Sequence, residues 1–316
     1  MTSKPQPGSH FWRDVRGSIQ ADFPLAPLTT WKIGGPAQFL VVPQDLEDVF
    51  ALWQVAASRG WPLFFLGRGS NVLIDDAGLP GITLHLAKSL QKLEVRGETL
   101  RVGAGVALPR LARTLAARGL GGFEFLAGIP GTVGAAVRLN AGAHGHHLGQ
   151  RLRRVWAVTP NRELKELTVA DIAPGYRTSR LLHQPHWLVV EAEFVLPEET
   201  SPEEIQRTMR ELLEERRTSQ PSHPRTCGSV YKNPPGGPPA GRLIEEAGWK
   251  GRSLGDAQVS RRHANFIINR GRATAAQMVT LMSAIEESVW QRFSIKLERE
   301  VVFLPQDIHS RPDASK

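Results

Sequence analysis

Cysteine is almost absent from this chain of 316 residues, with Cys227 the only one. A single thiol cannot close an internal disulfide, so packing and hydrogen bonds must hold the fold, and a reducing compartment suits it. Long apolar runs are missing too. No stretch approaches the ~18 residues of a membrane-spanning helix, and "MTSKPQPGSHFW" has no apolar segment after its lysine. Neither a membrane span nor a cleaved signal peptide is expected, which reads as a cytoplasmic protein. There are only two tyrosines, and no block of five or more Lys/Arg. The net charge of +8, from 39 basic and 31 acidic residues, is therefore dispersed. Dispersed charge argues against a nucleic-acid module and for long-range attraction of small anionic ligands. No metal is expected either, because "HGHH" (144–147) lacks a carboxylate or cysteine companion at ligand spacing.

What is present reads as a globular protein large enough for two domains, with 41% apolar and 22% charged residues. The spacing of Val49, Leu52, Val55 and Ala56 predicts a helix over 45–60 that stops at Gly60. Strands are expected at 62–67, 82–87, 99–105, 154–160 and 187–197, and a helix at 108–119. After a charged, proline-containing boundary, Ser201 opens a capping box with proline at the first helical position, predicting a helix to about Ser219. A helix over 240–248, a strand over 264–269, a helix opened by the Thr274/Gln277 box to about Phe293, and a last strand in "LEREVVFL" follow. The ends of the chain look disordered.

The glycine-rich stretches differ in what they can bind. There is no Walker-type phosphate loop, and "GAG" (103–105) lacks the third glycine of a dinucleotide fingerprint. "GRGSNVLI" (67–74) is a glycine turn entering a strand; its backbone N–H groups can form an anion nest, with Ser70 and Asn71 as extra donors. "AGIPGTVGAAVRLNAGAHG" (127–145) is dense in glycine and alanine, which lets backbone approach a large ligand and leaves room for a flat ring.

These segments occur in order with "TTWKIGGPA" (29–37), "GYRTS" (175–179), "GSVYKNP" (228–234), "AGRLIEEAGWKG" (240–251) and "VSRRHANFIIN" (259–269). Together they strongly resemble the UDP-N-acetylenolpyruvoylglucosamine reductase family, from about residue 28 to 304. The resemblance implies an α+β fold: an FAD-binding domain of the vanillyl-alcohol-oxidase (PCMH) type in two subdomains over 28–198, then an α/β substrate-binding domain over 199–305. Residues 1–27 would be an N-terminal extension and 306–316 a disordered tail. The short run from "GYRTS" to "VVEAEFVL" suggests the shorter, type II-like subclass.

The resemblance also implies a reaction. NADPH reduces FAD, and the reduced flavin passes hydride to the enolpyruvyl double bond of the substrate, UDP-N-acetylglucosamine enolpyruvate, giving UDP-N-acetylmuramate for peptidoglycan. The substrate's carboxylate lets negative charge spread into an enediolate, which the protein must stabilise and protonate. By motif, Arg177 is the cationic stabiliser, Glu300 the acidic catalytic residue and Ser229 the proton donor. A bare Glu300 carboxylate would repel the enediolate, so a neutral, hydrogen-bond-donating carboxyl is expected. FAD contacts would come from Gly67, Arg68, Gly69, Ser70 and Asn71, and from Gly128, Ile129, Pro130, Gly131, Gly134, Asn140 and Gly142. Tyr176, Lys232, Asn233, His263 and Asn265 match pocket positions for substrate. Cys227, two residues before the serine, is expected to be a buried hydrophobe rather than a nucleophile. No partner beyond the small-molecule substrate is implied, and the chain is read as a monomer. A flavin oxidase of the same fold is the nearest rival reading.

The chain departs from the family pattern at four places. Ala135 stands where a second glycine is common and needs an ordinary backbone conformation. Tyr231 replaces a frequent phenylalanine. Arg180, Leu181 and Leu182 follow "GYRTS" in place of a Phe-Lys pair, and Val302 sits where arginine is common.

Overall fold

The computed structural model describes residues 10–197 and 199–305; the tail expected to be disordered lies outside the described residues. Packing divides the chain into two units. Gln38–Arg68 and Pro80–Arg216 form the first, together with the described residues up to Phe23. Pro24–Ala37 and Gly69–Leu79 pack instead with the described residues from Arg217 onward.

The first unit holds two sheets. One has the order Ser18–Pro24, Pro36–Val42, Leu79–His85, Leu63–Leu66, and its last pair is parallel, with Leu63 opposite Ile82. Helix α1 (Leu46–Arg59) covers it, burying Val49, Leu52, Trp53, Val55 and Ala56 at the predicted spacing and ending on Gly60 at φ 64°. Its first turn carries Asp48, whose fully buried carboxylate accepts N–H bonds from Gln44 (2.7 Å), Gly17 (2.7 Å) and Arg16 (2.9 Å). Burial penalises that charge, but these bonds and the Arg16 guanidinium outweigh it and hold the carboxyl below its ordinary value. From His10 to Phe23 the expected extension is thus part of this layer, with Trp12 buried against Phe39.

The second sheet is antiparallel throughout, in the order Leu164–Thr168, Leu152–Val158, Leu188–Val195, Thr99–Gly103, Leu93–Arg96. Helices α2 (Leu108–Ala116) and α3 (Val133–Leu139) contribute Leu108, Leu111, Leu115, Val133 and Val137 to its core. The short α4 (Val169–Ile172) adds Ile172. Gly105 is needed for close packing: a Cβ there would lie 1.7 Å from the Ser89 carbonyl oxygen. Helix α5 (Pro202–Ser219) buries Ile205 and Met209 in the same core.

In the second unit, α6 (Ala240–Glu246) and α7 (Ala275–Phe293) pack over a small sheet of Ser253–Leu254, Ala257–Val259 and Ile267–Asn269. The Thr274/Gln277 capping box opens α7 as predicted. Two expected strands are shorter than their apolar runs. Residues 264–266 belong to a turn in which Phe266 N–H bonds the His263 carbonyl, leaving only Ile267–Asn269 as strand. In "LEREVVFL" only Val302–Leu304 is strand, running parallel to Val72–Ile74. Trp31 is fully buried and donates its indole N–H to the Ile267 carbonyl (2.8 Å), while Asn269 donates to the Trp31 carbonyl (2.8 Å). Those bonds tie Pro24–Ala37 to a unit from which it is far in sequence. The hydroxyl that Tyr231 adds donates to the Met282 carbonyl inside the core (2.9 Å).

Candidate active site

In the first unit the candidate site residues gather around three loops. Gly67 ends the strand Leu63–Leu66, and a Cβ on it would meet Thr132 Oγ at 2.8 Å, so only glycine lets these two turns approach. Arg68 follows it, exposed. Gly128 and Ile129 are half-buried and Pro130 exposed ahead of α3, while Gly131 and Gly134 are buried; a Cβ on Gly134 would stand 2.8 Å from that of Ala104. Ala135 is an exposed residue inside α3, not among the positive-φ residues, so its departure from the family pattern costs the loop nothing. Gly142 pairs with His147 across a two-residue hairpin. This run of side-chain-poor backbone fits a flat, extended ligand. A residue that the sequence reading missed flanks it. Arg216, near the end of α5, lays its side chain over Gly128, where an added Cβ would be 2.9 Å from Arg216 Cδ. Burial, and then the like charge of Arg177, lower the Arg216 pKa. The only sequence signal was an arginine pair closing an acidic helix.

Arg177 sits on a tight turn. Gly175 and Thr178 exchange backbone hydrogen bonds, with Tyr176 and Arg177 between them. Arg177 has φ 51°, the left-handed region that favours glycine or asparagine. A bulky residue held there by its surroundings is the kind of local strain that collects at functional sites. Tyr176 is 60% exposed, and the Arg177 guanidinium lies 5.7 Å from its ring centroid. Asn140, the left-handed C-cap of α3 (φ 46°), is buried and donates its side-chain N–H to the Gly175 carbonyl at 2.7 Å. Its side-chain oxygen accepts from Gly149 N–H (2.8 Å) and faces His147 Nδ1 (3.2 Å). Ser179 closes the other side of the turn by donating to the Arg138 carbonyl (2.7 Å). Burial brings the Arg138 pKa down to about 10. The other histidines of "HGHH" have protein contacts: His146 stacks on Phe125, and His144 lies 3.2 Å from Glu215.

In the second unit, residues 230–232 pair antiparallel with 298–300. Glu300 N–H bonds the Val230 carbonyl (2.8 Å), Lys232 N–H bonds the Glu298 carbonyl (2.9 Å), and Tyr231 faces Arg299. That ladder brings Ser229, half-buried, and Glu300 to neighbouring register positions. Asn71 supports the Glu300 segment from the other side. Its side chain donates to the Glu300 carbonyl (2.9 Å), and its own carbonyl accepts from Val302 N–H (3.0 Å). Gly69 has φ 61°, and a Cβ there would be 2.2 Å from the Leu28 carbonyl oxygen, so the turn before half-buried Ser70 admits only glycine. Cys227 is buried. Burial pushes its thiol well up, away from the thiolate a nucleophile needs, and Glu300 adds to this whenever its carboxyl is ionised.

Four residues matched to substrate positions are engaged by the protein itself. Asn265 is buried and brackets Tyr231, accepting from its N–H (2.9 Å) and donating to its carbonyl (2.8 Å). His263 Nδ1 accepts from Asn265 N–H (3.2 Å); burial lowers its pKa, and its ring lies edge-on to Phe266. Asn233 Oδ1 accepts from Ala240 N–H (3.0 Å) at the start of α6, and Lys232 Nζ bonds Glu298 (2.5 Å).

Comparison with known proteins matches each unit. Residues 37–168 match the family model described as an FAD binding domain, and 220–304 that of the UDP-N-acetylenolpyruvoylglucosamine reductase C-terminal domain. The fold is therefore the α+β one anticipated, an FAD-binding domain followed by a substrate domain. A reductase of that name from Halalkalibacterium halodurans is 42% identical over 286 residues, 90% of this chain and 94% of its own. One from Carboxydothermus hydrogenoformans is 44% identical over 291 residues, 92% of this chain and 95% of its own. The crystal structure of UDP-N-acetylenolpyruvylglucosamine reductase from Thermus caldophilus superposes with a TM-score of 0.77 at 33% identity, covering 92% of this chain and all of that one.

Proposed function

Because the chain belongs to the UDP-N-acetylenolpyruvoylglucosamine reductase family, we propose that it reduces UDP-N-acetylglucosamine enolpyruvate to UDP-N-acetylmuramate, a precursor of peptidoglycan. Bound FAD supplies the two-electron carrier between NADPH and the enolpyruvyl group. By the resemblance, Gly67, Arg68, Gly69, Ser70 and Asn71, with the backbone of 128–134 and Gly142, hold it. The protein's own groups do the rest. Arg177 receives the substrate carboxylate, since a guanidinium stays charged and can meet it with two parallel bonds. As negative charge grows into that carboxylate, Arg177 and a neutral Glu300 carboxyl stabilise the enediolate. Ser229 then gives its hydroxyl proton to the carbon beside the carboxylate. Tyr176, Lys232, Asn233, His263 and Asn265 shape or bind the rest of the substrate. The reading is of a cytoplasmic, monomeric enzyme that needs neither a metal nor a partner chain.

The observation that supports this most directly is the pairing of Glu300 N–H with the Val230 carbonyl, which sets the backbone of Ser229 one residue from the position opposite Glu300. Anaerobic stopped-flow of the flavin absorbance near ~450 nm tests it. NADPH should bleach the flavin, and the enolpyruvyl substrate should restore it. Ser229→Ala should slow the second step by about 10²–10⁴-fold and spare the first. Equal slowing of both steps would remove Ser229 from the role of proton donor. Bleaching that the enolpyruvyl sugar nucleotide cannot reverse would favour a flavin oxidase of the same fold.

A further inference from the structure

We infer that Asn140 is the positioning residue for Arg177, holding the Gly175–Thr178 turn in the conformation that presents the guanidinium; the inference rests on the role given to Arg177 above. A resemblance-based reading assigns Asn140 to FAD, yet each polar atom of its side chain already has a protein partner. Nδ2 donates to the Gly175 carbonyl at 2.7 Å, and Oδ1 accepts from Gly149 N–H at 2.8 Å with His147 Nδ1 at 3.2 Å. The residue is 4% exposed, so these bonds face little competition from water.

The consequence for Arg177 follows from the turn. With φ at 51°, Arg177 occupies a region that a residue with a Cβ leaves unless its neighbours prevent it. The bonds between Gly175 and Thr178 close the turn but do not anchor it to the rest of the unit. Asn140 anchors it at Gly175, and the Ser179 hydroxyl, donating to the Arg138 carbonyl, anchors it just past Thr178. Both anchors lie on the last turn of α3 or its cap, within the 127–145 segment. The same helix end thereby fixes the loop expected to cradle the flavin and the turn that carries the cation. A left-handed asparagine is suited to this, because it caps the helix and still aims an amide outward.

The test uses the FAD-loaded, full-length enzyme in Asn140→Asp, Arg177→Ala and the double variant. The carboxylate introduced by Asn140→Asp keeps the acceptor for Gly149 and loses the donor to Gly175. The expected result is a flavin reoxidation by the enolpyruvyl substrate slowed by about 10–100-fold at saturation, the size that a small misplacement produces. FAD affinity and the rate of reduction by NADPH should stay as in the parent. In the Arg177→Ala background the same change should cost less than about twofold, because a group acting through Arg177 has nothing left to position. Full additivity in the double variant, or loss of FAD with equal slowing of both steps, would overturn the inference. If Asn140→Asp does not fold, Asn140→Gly keeps the left-handed cap, deletes the amide and is judged by the same criteria. Arg177→Ala that reoxidises at the parent rate would sink the proposed role of Arg177 and this inference with it. A slow Arg177→Ala beside a normal Asn140→Asp would sink the inference alone.

Discussion

Replacing Asn265 by alanine separates a residue that builds the site from one that binds substrate. Asn265 brackets Tyr231, accepting from its N–H at 2.9 Å and donating to its carbonyl at 2.8 Å, and Asn265 is only 4% exposed. Removing the side chain leaves two buried backbone groups without partners. Each costs about 1–3 kcal/mol, so the second unit should lose about 2–6 kcal/mol. The cost falls on the ladder that carries Ser229 and Glu300, and Cys227 lies in the same hydrophobic core. That single thiol makes a local assay possible. Burial pushes its pKa well up, so it reacts with a thiol reagent only when the core opens. When reclosing outpaces labelling, the rate follows the open population, and about 1.4 kcal/mol is one decade. The loss above therefore predicts labelling roughly 30- to 10⁴-fold faster than in the parent. A rate within about twofold of the parent would refute the reasoning and return Asn265 to a direct substrate contact.

Three further outcomes follow from the geometry. Arg177→Gly should raise the thermal midpoint, because glycine at φ 51° escapes a strain of about 1–2 kcal/mol, while enolpyruvyl reduction collapses; a lower midpoint would mean that the turn is not strained. Gly69→Ala combines a φ of 61° with a Cβ placed 2.2 Å from the Leu28 carbonyl oxygen, so it should cost at least about 2 kcal/mol. Thermal melting and flavin content would read that loss, and a normal melt would contradict the clash. For Asp48 the folded carboxyl titrates below its ordinary value of 3.8, so its stabilisation is in full force above that pH and is lost as the pH falls further. The gap in midpoint between parent and Asp48→Asn should accordingly narrow from pH 7 to pH 3; an equal gap at both would refute the linkage.

Elements announced by local chemistry were legible in the sequence. Thr274 with Gln277, Gly60 after an amphipathic run, and proline at position 202 each mark a helix end through contacts within a few residues. The strand Ser18–Pro24 was not, because it is an edge strand, mostly exposed, whose burial alternates poorly. Nor were the placements of Pro24–Ala37 and Gly69–Leu79, which join the second unit through bonds such as Trp31 to Ile267, 236 residues away. Periodicity carries no information on such pairings. Apolar runs overstated the strands at 264–269 and in "LEREVVFL", because a buried turn and a short ladder need the same residue types as a strand.

The catalytic candidates and their supports were legible to different degrees for a related reason. Arg177, Ser229 and Glu300 are named by motifs, since their chemistry restricts which residue can stand there. Asparagine is ambiguous by construction: its amide has the donor and acceptor of a peptide group, so it can meet a ligand or stand in for missing backbone partners. Here Asn71 bonds the carbonyl of Glu300, Asn265 brackets Tyr231 two residues past Ser229, and Asn140 bonds Gly175 two residues before Arg177. Each catalytic candidate thus has an amide bonded to backbone within two residues of it. A motif match sees the asparagine and its distance along the chain, but only geometry shows that these amides point at the protein. Positions matched for ligand binding therefore include residues whose amides bond the protein's own backbone, and half-reaction kinetics, not binding alone, would distinguish an effect through that backbone from a direct contact.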